Sequence, residues 1–234
     1  MTKKERVSLV HQTAMYSNDS FRVTKKERVS LVLDILNDLY PHEDKCYLNY
    51  TEPYELLIAT ILSAQCTDDR VNIVTKDLFK KYTSLEDFAH ANIYELEQDI
   101  KSTGFYHNKA KHIQSAAFKL IDEFGSVMPS DINELTSLAG VGRKTANVVR
   151  GHIFSIPSIV VDTHVKRVSY RLGLTKNTVP EKVEIDLMKI LPKDRWIAYN
   201  TQIIAHGRAI CKSRNPKCLS CAFQSVCMNT TNTL

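Results

Sequence analysis

The chain has 234 residues, which is enough for one large domain or two small ones with a real core, and 43% of its residues are hydrophobic. It has no run of about eighteen apolar residues and no apolar stretch near its start, so we expect neither a membrane-spanning helix nor a secretory signal. The formal net charge of +5 is mild, but six basic residues and one acid occur from Lys193 onward, which suggests a nearby polyanion.

The first segment of the chain contains a duplicated sequence. Residues 2–10 and 24–32 carry the same nine letters, TKKERVSLV. One exact copy does not make a repeat protein, because such folds need several stacked units. The second copy continues into an amphipathic helical pattern, whereas the first continues into a polar stretch. We therefore interpret residues 1–22 as a disordered or duplicated N-terminal extension outside the fold.

Capping residues and helical apolar spacing predict an all-α fold for the remaining chain. Helix starts are expected at Pro53, Thr67, Ser84, Asn92 and Ser130. Glu95 follows Asn92 by three residues, as a capping box requires. Later helices are expected near residues 163–172, 180–191 and 195–209. The run Ile159–Val161 is β-like but too isolated to build a sheet.

An apolar stripe lies between two glycines that are placed to end helices, Gly104 and Gly125. Its members recur at helical spacing and comprise Ala110, Ile113, Ala117, Leu120, Ile121 and Phe124. Such a stripe is typical of a helix face that packs on the core, so we do not interpret it as a cofactor site.

Residues 138–146, LAGVGRKTA, predict a tight turn between two helices. Two glycines permit positive φ in the turn, and a new helix is expected to begin near Arg143. The turn and the helix N-terminus together could bind a phosphate through main-chain N–H groups. A plain interhelical turn is the alternative, since Gly-x-Gly alone is weak evidence.

Four cysteines form the strongest motif of the chain, Cys211-x6-Cys218-x2-Cys221-x5-Cys227. The spacing suits a loop around a [4Fe–4S] cluster better than a zinc ribbon, which usually has two separated Cys-x2-Cys knuckles. A tetrahedral zinc site and unligated thiols are the alternatives. Cys46 and Cys66 lie far apart in the sequence, and we interpret them as free thiols of a reducing compartment.

Four segments, in this order, resemble the endonuclease III family of helix-hairpin-helix DNA glycosylases. They are residues 62–68 (LSAQCTD), the hairpin at 138–146, residues 161–164 (VDTH) and the four-cysteine loop. The resemblance covers roughly residues 25–228. Phe105 and Ala139 depart from the leucine and the proline of the bacterial pattern.

The resemblance implies two helical lobes that flank a DNA-binding groove. A six-helix lobe with the helix-hairpin-helix motif would span residues 46–156. The iron-sulfur lobe would combine residues 23–45 with residues 157–234.

The resemblance also implies the roles of individual residues. Lys144 would be the nucleophile and Asp162 its partner, while the four cysteines would bind the [4Fe–4S] cluster. An amine attacks only when uncharged, and we expect the helix N-terminus and partial burial to favour that form of Lys144. Contacts to DNA would come from Gln65, Phe105, Gly140, Val141, Gly142, Arg143, Thr145 and His164.

Each of these roles has a plainer structural alternative. Lys144 could be an exposed phosphate contact, and Asp162 could simply cap the helix that begins at Thr163. Gln65 could merely cap a helix end. Phe105 could be a core aromatic rather than a wedge between bases. His164 suits packing or a phosphate contact better than catalysis.

The function implied is that of a bifunctional glycosylase and abasic-site lyase, which releases oxidised pyrimidines and cleaves the strand by β-elimination. The expected partner of this monomer is double-stranded DNA with damaged bases or abasic sites, and no membrane. The expected location is the cytoplasm, on the nucleoid, in a bacterium, and the nucleus or an organelle in a eukaryote.

Two alternatives differ from this function in class. A monofunctional mismatch glycosylase typically lacks the hairpin lysine and has a further C-terminal domain, so Lys144 and the end of the chain at Leu234 favour the bifunctional enzyme. A non-catalytic iron-sulfur DNA-binding module would keep the hairpin and the cysteines without needing Lys144 and Asp162.

Overall fold

A computed structural model describes residues 23–41 and 46–229 of the chain. The predicted extension 1–22 lies outside the described residues. Those residues contain eleven α-helices and no β-strand, which confirms the all-α prediction. They fall into two compact units, one between residues 46 and 160 and the other formed by the described residues on either side. No helix in this part of the chain is long and apolar enough to cross a membrane.

The unit between residues 46 and 160 contains seven helices. They are α2 (Pro53–Leu62), α3 (Asp68–Lys81), α4 (Leu85–Ala89), α5 (Ile93–Asp99), α6 (Tyr106–Phe124), α7 (Ile132–Thr136) and α8 (Arg143–Phe154). The resemblance implies a six-helix lobe, and the count of seven here includes α4 and α7, which have only five residues each and begin near the expected starts at Ser84 and Ser130.

The core of this unit forms around α6, whose apolar stripe is buried as predicted. Ala110, Ile113 and Leu120 are at most 1% exposed. Gly125 ends the helix with a φ of 59°, a conformation that favours glycine. Because the stripe is closely packed, Ile113→Ala would cost about 2–5 kcal/mol of stability.

Two predicted helix starts differ in detail. The Asn92 side chain accepts the Tyr94 and Glu95 N–H groups, but the Glu95 carboxylate lies 3.4 Å from Lys81 Nζ instead of completing the capping box. Asp131, not Ser130, caps α7, because its Oδ1 accepts the Asn133 and Glu134 N–H groups.

The second unit contains α1 (Lys25–Leu39), α9 (Thr163–Arg171), α10 (Pro180–Ile190) and α11 (Trp196–Ala209). Thr24 and Glu27 form a reciprocal capping box at the start of α1. Both α1 and α9 pack on α11 through buried residues such as Leu36, Val168 and Ile203. The β-like run at residues 159–161 forms no strand, as predicted.

Candidate functional site

The predicted hairpin connects α7 to α8, and its two glycines have different roles. Gly140 has a φ of 75°, and a Cβ at this position would lie 2.9 Å from His112 Cβ, so the position requires glycine. Gly142 has a φ of −86° and open space around it, and it is the N-cap of α8. Glycine offers no side-chain cap, so the N-terminus of α8 can receive an anion such as a phosphate.

The remaining hairpin residues divide into anchors and exposed groups. Val141 is buried, and its N–H donates to the Leu138 carbonyl at 3.1 Å, which closes the turn. Arg143 is exposed at the first position of α8, and Thr145 is half-buried. The turn is thus fixed from the core side while its outer face stays accessible.

Lys144 is the second residue of α8, and its side chain is exposed. The expected partial burial is therefore wrong. The position in the first helical turn is as predicted, so the partial positive charge of the helix N-terminus acts on this amine. Lys144 belongs to the unit between residues 46 and 160.

Asp162 belongs to the other unit and caps α9. Its Oδ1 accepts the Val165 N–H at 2.7 Å, which confirms the capping role. This hydrogen bond fixes the carboxylate at the helix start, since a cap occupies one defined geometry. The second carboxylate oxygen leaves capacity for a further partner.

His164 follows Asp162 by two residues and packs against α11. A Cβ on Gly207 would lie 2.6 Å from His164 Nδ1, so the glycine makes room for the ring. Arg167 Nη2 donates to the same nitrogen at 3.1 Å. Burial lowers the pKa of His164, and the Asp162 carboxylate opposes this shift. These contacts favour packing, and the DNA contact of His164 stays a prediction.

Gln65 and Phe105 share an unusual backbone conformation. Gln65 has a φ of 55° and Phe105 a φ of 50°, both in the left-handed region that non-glycine residues rarely adopt. Both side chains are exposed, and Phe105 retains 64% of its accessible surface. The alternative of a core aromatic at Phe105 is therefore wrong. Strained, exposed residues of this kind cluster at functional sites.

Lys109 is a residue that the sequence analysis does not identify. It lies on α6 with 4% of its surface exposed, and its Nζ donates to the Leu62 and Thr103 carbonyls at 2.8 Å each. Burial lowers the pKa of Lys109, and the nearby Cys66 opposes this shift. The sequence pattern that could have identified Lys109 is its place on the apolar face of α6, four residues before Ile113.

The four predicted cysteine ligands line a single cavity in the second unit. Its volume is about 40 Å³, more than the roughly 10–15 Å³ that one water molecule needs. The remaining walls include Val168, Leu172 and Phe223, so the cavity is largely apolar. This donor set and surrounding fit a thiolate-bound iron-sulfur cluster.

The nature of the ligand at the four cysteines stays a prediction. Among the described residues, no group of three or more histidine, cysteine or acidic side chains is arranged to hold a metal ion. A four-iron cluster takes one thiolate at each iron, and four cysteine sulfurs around one cavity are the donors that it needs.

Two arginines of α9 hold the start of the cysteine loop. Arg167 Nε and Nη2 donate to the Cys211 carbonyl at 3.1 and 3.0 Å. Arg171 Nη1 donates to Cys211 Sγ at 3.3 Å and to the Lys212 carbonyl at 2.7 Å. Hydrogen bonds of this kind stabilise a thiolate ligand. Asp162 therefore caps the N-terminus of α9, and Arg171 at the C-terminus of the same helix supports the cysteine loop.

His206 contacts the same loop from α11. The ring is 1% exposed, and its Nε2 lies 3.6 Å from Cys221 Sγ. Its Nδ1 lies 3.1 Å from the Tyr40 hydroxyl, and its ring meets Phe223 edge to face. Sequence analysis also misses His206, because its neighbours come from distant parts of the chain.

Comparison with known proteins places these features in context. The sequence model described as "HhH-GPD superfamily base excision DNA repair protein" matches residues 58–193. The Endonuclease III of Synechocystis sp. is 50% identical over 205 residues, which cover 87% of this chain and 93% of that protein. The matched family segment contains the hairpin, Lys144 and Asp162, and the four cysteines follow it.

Two solved structures are similar to the chain as well. One is described as a non-covalent Endonuclease III–DNA complex, and the other as a trapped Endonuclease III–DNA covalent intermediate, an estranged-adenine complex. Each is 46% identical with a TM-score of 0.83 and covers 87% of this chain. The shares of those chains that are covered are 95% and 96%, respectively.

Proposed function

Because the chain belongs to the HhH-GPD superfamily of base excision DNA repair proteins and, within it, to the endonuclease III family, we propose that it is a bifunctional glycosylase and abasic-site lyase. Its family membership makes it a DNA glycosylase of base excision repair. The finer proposal is that it acts as a monomer on oxidised pyrimidines in double-stranded DNA and cleaves the strand by β-elimination.

The observation that carries the proposal is the position of Lys144. Its amine is exposed in the first turn of α8, directly after a turn whose shape requires Gly140. An accessible amine beside a turn that can bind a phosphate suits attack on a sugar carbon.

The chemical steps use Lys144 as nucleophile. Its Nζ would bond to C1′ of the damaged nucleotide while the bond from C1′ to the base breaks and the base leaves. Opening of the sugar ring and loss of the nitrogen proton give a Schiff base. Removal of a proton from C2′ then expels the 3′ phosphate, which cuts the strand. The covalent intermediate described for a 46% identical relative supports such a step here.

Asp162 would stabilise positive charge that develops on the sugar as the base leaves. Its carboxylate is held by the Val165 N–H, so little reorganisation is needed when that charge forms. In the proposed reaction, the same carboxylate would help to deprotonate the Lys144 amine. Both roles depend on an ionised, fixed group rather than on a mobile one.

The damaged nucleotide must leave the helix before Lys144 can reach it, and unstacking costs a few kcal/mol. We propose that Gln65 and Phe105 fill the vacated space. Both are exposed on turns, and an aromatic ring such as Phe105 can insert between bases. Main-chain N–H groups at Gly140 and Gly142, with Arg143 and Thr145, would bind a neighbouring phosphate, and Val141, whose N–H donates to the Leu138 carbonyl, would hold the shape of the turn.

The four cysteines would hold a [4Fe–4S] cluster in the cavity that they line. When bound, the cluster supplies four iron–thiolate bonds that close the loop, and no chemical step of the proposed reaction uses it. Lys212, Arg214 and Lys217 lie in the loop between Cys211 and Cys218 and are available to contact phosphates.

Borohydride trapping tests the proposed nucleophile. Wild-type protein should form a covalent adduct with duplex DNA that contains an abasic site, because borohydride reduces the Schiff base. Lys144→Ala should form none. Lys182→Ala is the matched control, since Lys182 is also exposed in the first turn of a helix, and it should trap like the wild type. Trapping by Lys144→Ala at the wild-type level would contradict the assignment.

A panel of duplexes tests the proposed substrate. We expect release of thymine glycol and other oxidised pyrimidines, followed by strand cleavage without added alkali. A monofunctional mismatch glycosylase would release adenine opposite a damaged base and leave the strand intact. A non-catalytic module would bind these duplexes without changing them.

A further inference from the structure

The buried lysine of α6, Lys109, has no role in the chemistry described above, yet it is held by two strong contacts. Its ammonium donates to the carbonyls of Leu62 and Thr103, both at 2.8 Å, and its surface is 4% exposed. Fully buried lysines are rare unless their charge is satisfied. Within the described residues, Cys66 opposes the lowering of the Lys109 pKa by burial. Main-chain carbonyls are therefore its main partners.

The two acceptors belong to the two turns that present Gln65 and Phe105. Leu62 is the last residue of α2, three residues before Gln65. Thr103 ends the 3₁₀ turn Lys101–Thr103, two residues before Phe105. The Lys109 N–H also donates to the Phe105 carbonyl at 3.1 Å. One residue thus contacts both turns, and it binds one of them through side chain and main chain together.

Both turns need external support. Gln65 and Phe105 are non-glycine residues at φ values of 55° and 50°, and such backbone persists only where the surroundings determine it. The last carbonyls of a helix lack an intrahelical partner, so the Leu62 carbonyl is free to accept from another element. A rigid ammonium between the turns fixes the distance from one to the other.

We propose that Lys109 is a positioning residue that holds the Gln65 turn and the Phe105 turn at a fixed separation, so that both side chains enter the duplex as one unit. This inference rests on the proposed function, because it concerns how Gln65 and Phe105 take the place of a damaged nucleotide that leaves the helix. Lys109 touches neither the sugar nor the base. Its effect is on the step that unstacks the nucleotide.

The test compares two substrates of the same enzyme. In a duplex with paired thymine glycol, a base must be unstacked, whereas a preformed abasic site has no base to unstack. We expect Lys109→Met to lower single-turnover cleavage of the thymine glycol duplex about tenfold or more, as small misplacements do. Cleavage at the abasic site should change less than about twofold. Lys111→Met, an exposed lysine of the same helix, should change neither.

A second measurement separates positioning from folding. In an otherwise wild-type chain, Gln65→Ala and Phe105→Ala should be non-additive on the thymine glycol duplex, because the two side chains act together. In the Lys109→Met background, the same two changes should become additive. If Lys109→Met does not fold, the cycle in the wild-type background decides alone, and additive effects there overturn the inference.

The remaining outcomes are distinct. Wild-type protein that processes neither duplex overturns the proposed function and this inference with it. If the wild type processes both duplexes, the proposed function stands. In that case the positioning role is overturned if Lys109→Met loses activity equally on both substrates, or if it loses none.

Discussion

Cationic side chains on a helix hold functional loops in both units of the molecule, but the two loops depend on them to different degrees. Lys109 bridges two short turns that are each continuous with helices. The Arg167 and Arg171 side chains contact the first residues of a seventeen-residue cysteine segment, Cys211–Cys227, and the Arg171 carbonyl accepts from Cys227 Sγ at 3.3 Å. The one regular element of this segment is the 3₁₀ turn Cys218–Ser220. We therefore expect protein contacts to be sufficient in the first case and the proposed cluster to contribute in the second.

The apolar anchors of the two regions show the same difference. The turns near Lys109 continue into α2 and α6, whose apolar residues form the core. The cysteine segment buries only Phe223 and Val226 fully among its apolar residues. Burial of two such side chains contributes about 3–6 kcal/mol. The metal–thiolate bonds of the proposed cluster would add to this small apolar anchor.

The largest effect that we predict follows from removing one cysteine ligand. Cys218→Ser should lose most of its bound iron and lower the free energy of unfolding by more than about 4 kcal/mol. Iron analysis and limited proteolysis between residues 211 and 227 are the measurements. Cys46→Ser, in the other unit, should keep both iron and protease resistance. A protease-resistant segment without iron would refute the dependence on ligands.

The next effect concerns the hairpin, where protein geometry alone sets the shape. Gly140→Ala should destabilise the protein by about 2–3 kcal/mol, because it adds a left-handed residue and a contact of 2.9 Å with His112. Gly142→Ala is the matched control, since its φ is −86° and nothing lies within 4 Å of an added Cβ. Urea denaturation measures both, and equal losses would count against the geometric argument.

A smaller effect is expected from the arginine that contacts a sulfur. Arg171→Met removes a partly buried donor to Cys211 Sγ, worth about 1 kcal/mol, and two exposed donors to the Lys212 and Ser213 carbonyls that water can replace. We expect faster loss of iron to a chelator but a folded protein. Lys166→Met, on the same helix, should lose iron at the wild-type rate. An unchanged rate in Arg171→Met would show that the cysteines alone hold the segment.

The sequence identifies residues that belong to a motif within one short segment. It does not identify residues whose role depends on contacts with distant segments. The hairpin lies within nine consecutive residues and the four cysteines within seventeen, so glycine freedom and ligand spacing make both motifs recognisable in the sequence. Lys109 meets Leu62 across 47 positions, and Arg171 meets Cys211 across 40. An isolated helix pattern shows that Lys109 lies on an apolar face but cannot show what it binds there.

The exposure of Phe105 illustrates the same limit. A glycine followed by an aromatic residue fits either a core position or an exposed wedge, and only the backbone decides between them. Here Gly104 has a φ of 72° and Phe105 a φ of 50°, which together direct the ring outward. Two consecutive left-handed residues depend on support from α6, which the sequence does not reveal.

The smallest effect is a pH dependence in the unit that lacks the cysteine segment. His152 is partly buried on α8, and burial lowers its pKa below the usual value of about 6.5. As pH falls through 6.5, the unfolded chain binds a proton that the folded protein does not. Stability from this residue is therefore fully present above pH 6.5 and declines below it, by at most about 1.4 kcal/mol per pH unit.

Replacing this histidine should flatten the decline. His152→Gln should retain more of its neutral-pH stability at pH 5.5 than the wild type, as measured by urea denaturation of iron-loaded protein at each pH. His90→Gln is the matched control, because the His90 ring is exposed. Iron content must be followed in parallel, since acid also protonates thiolate ligands in the other unit. If His152→Gln loses stability as steeply as the wild type while iron is retained, the acid sensitivity arises elsewhere in the chain.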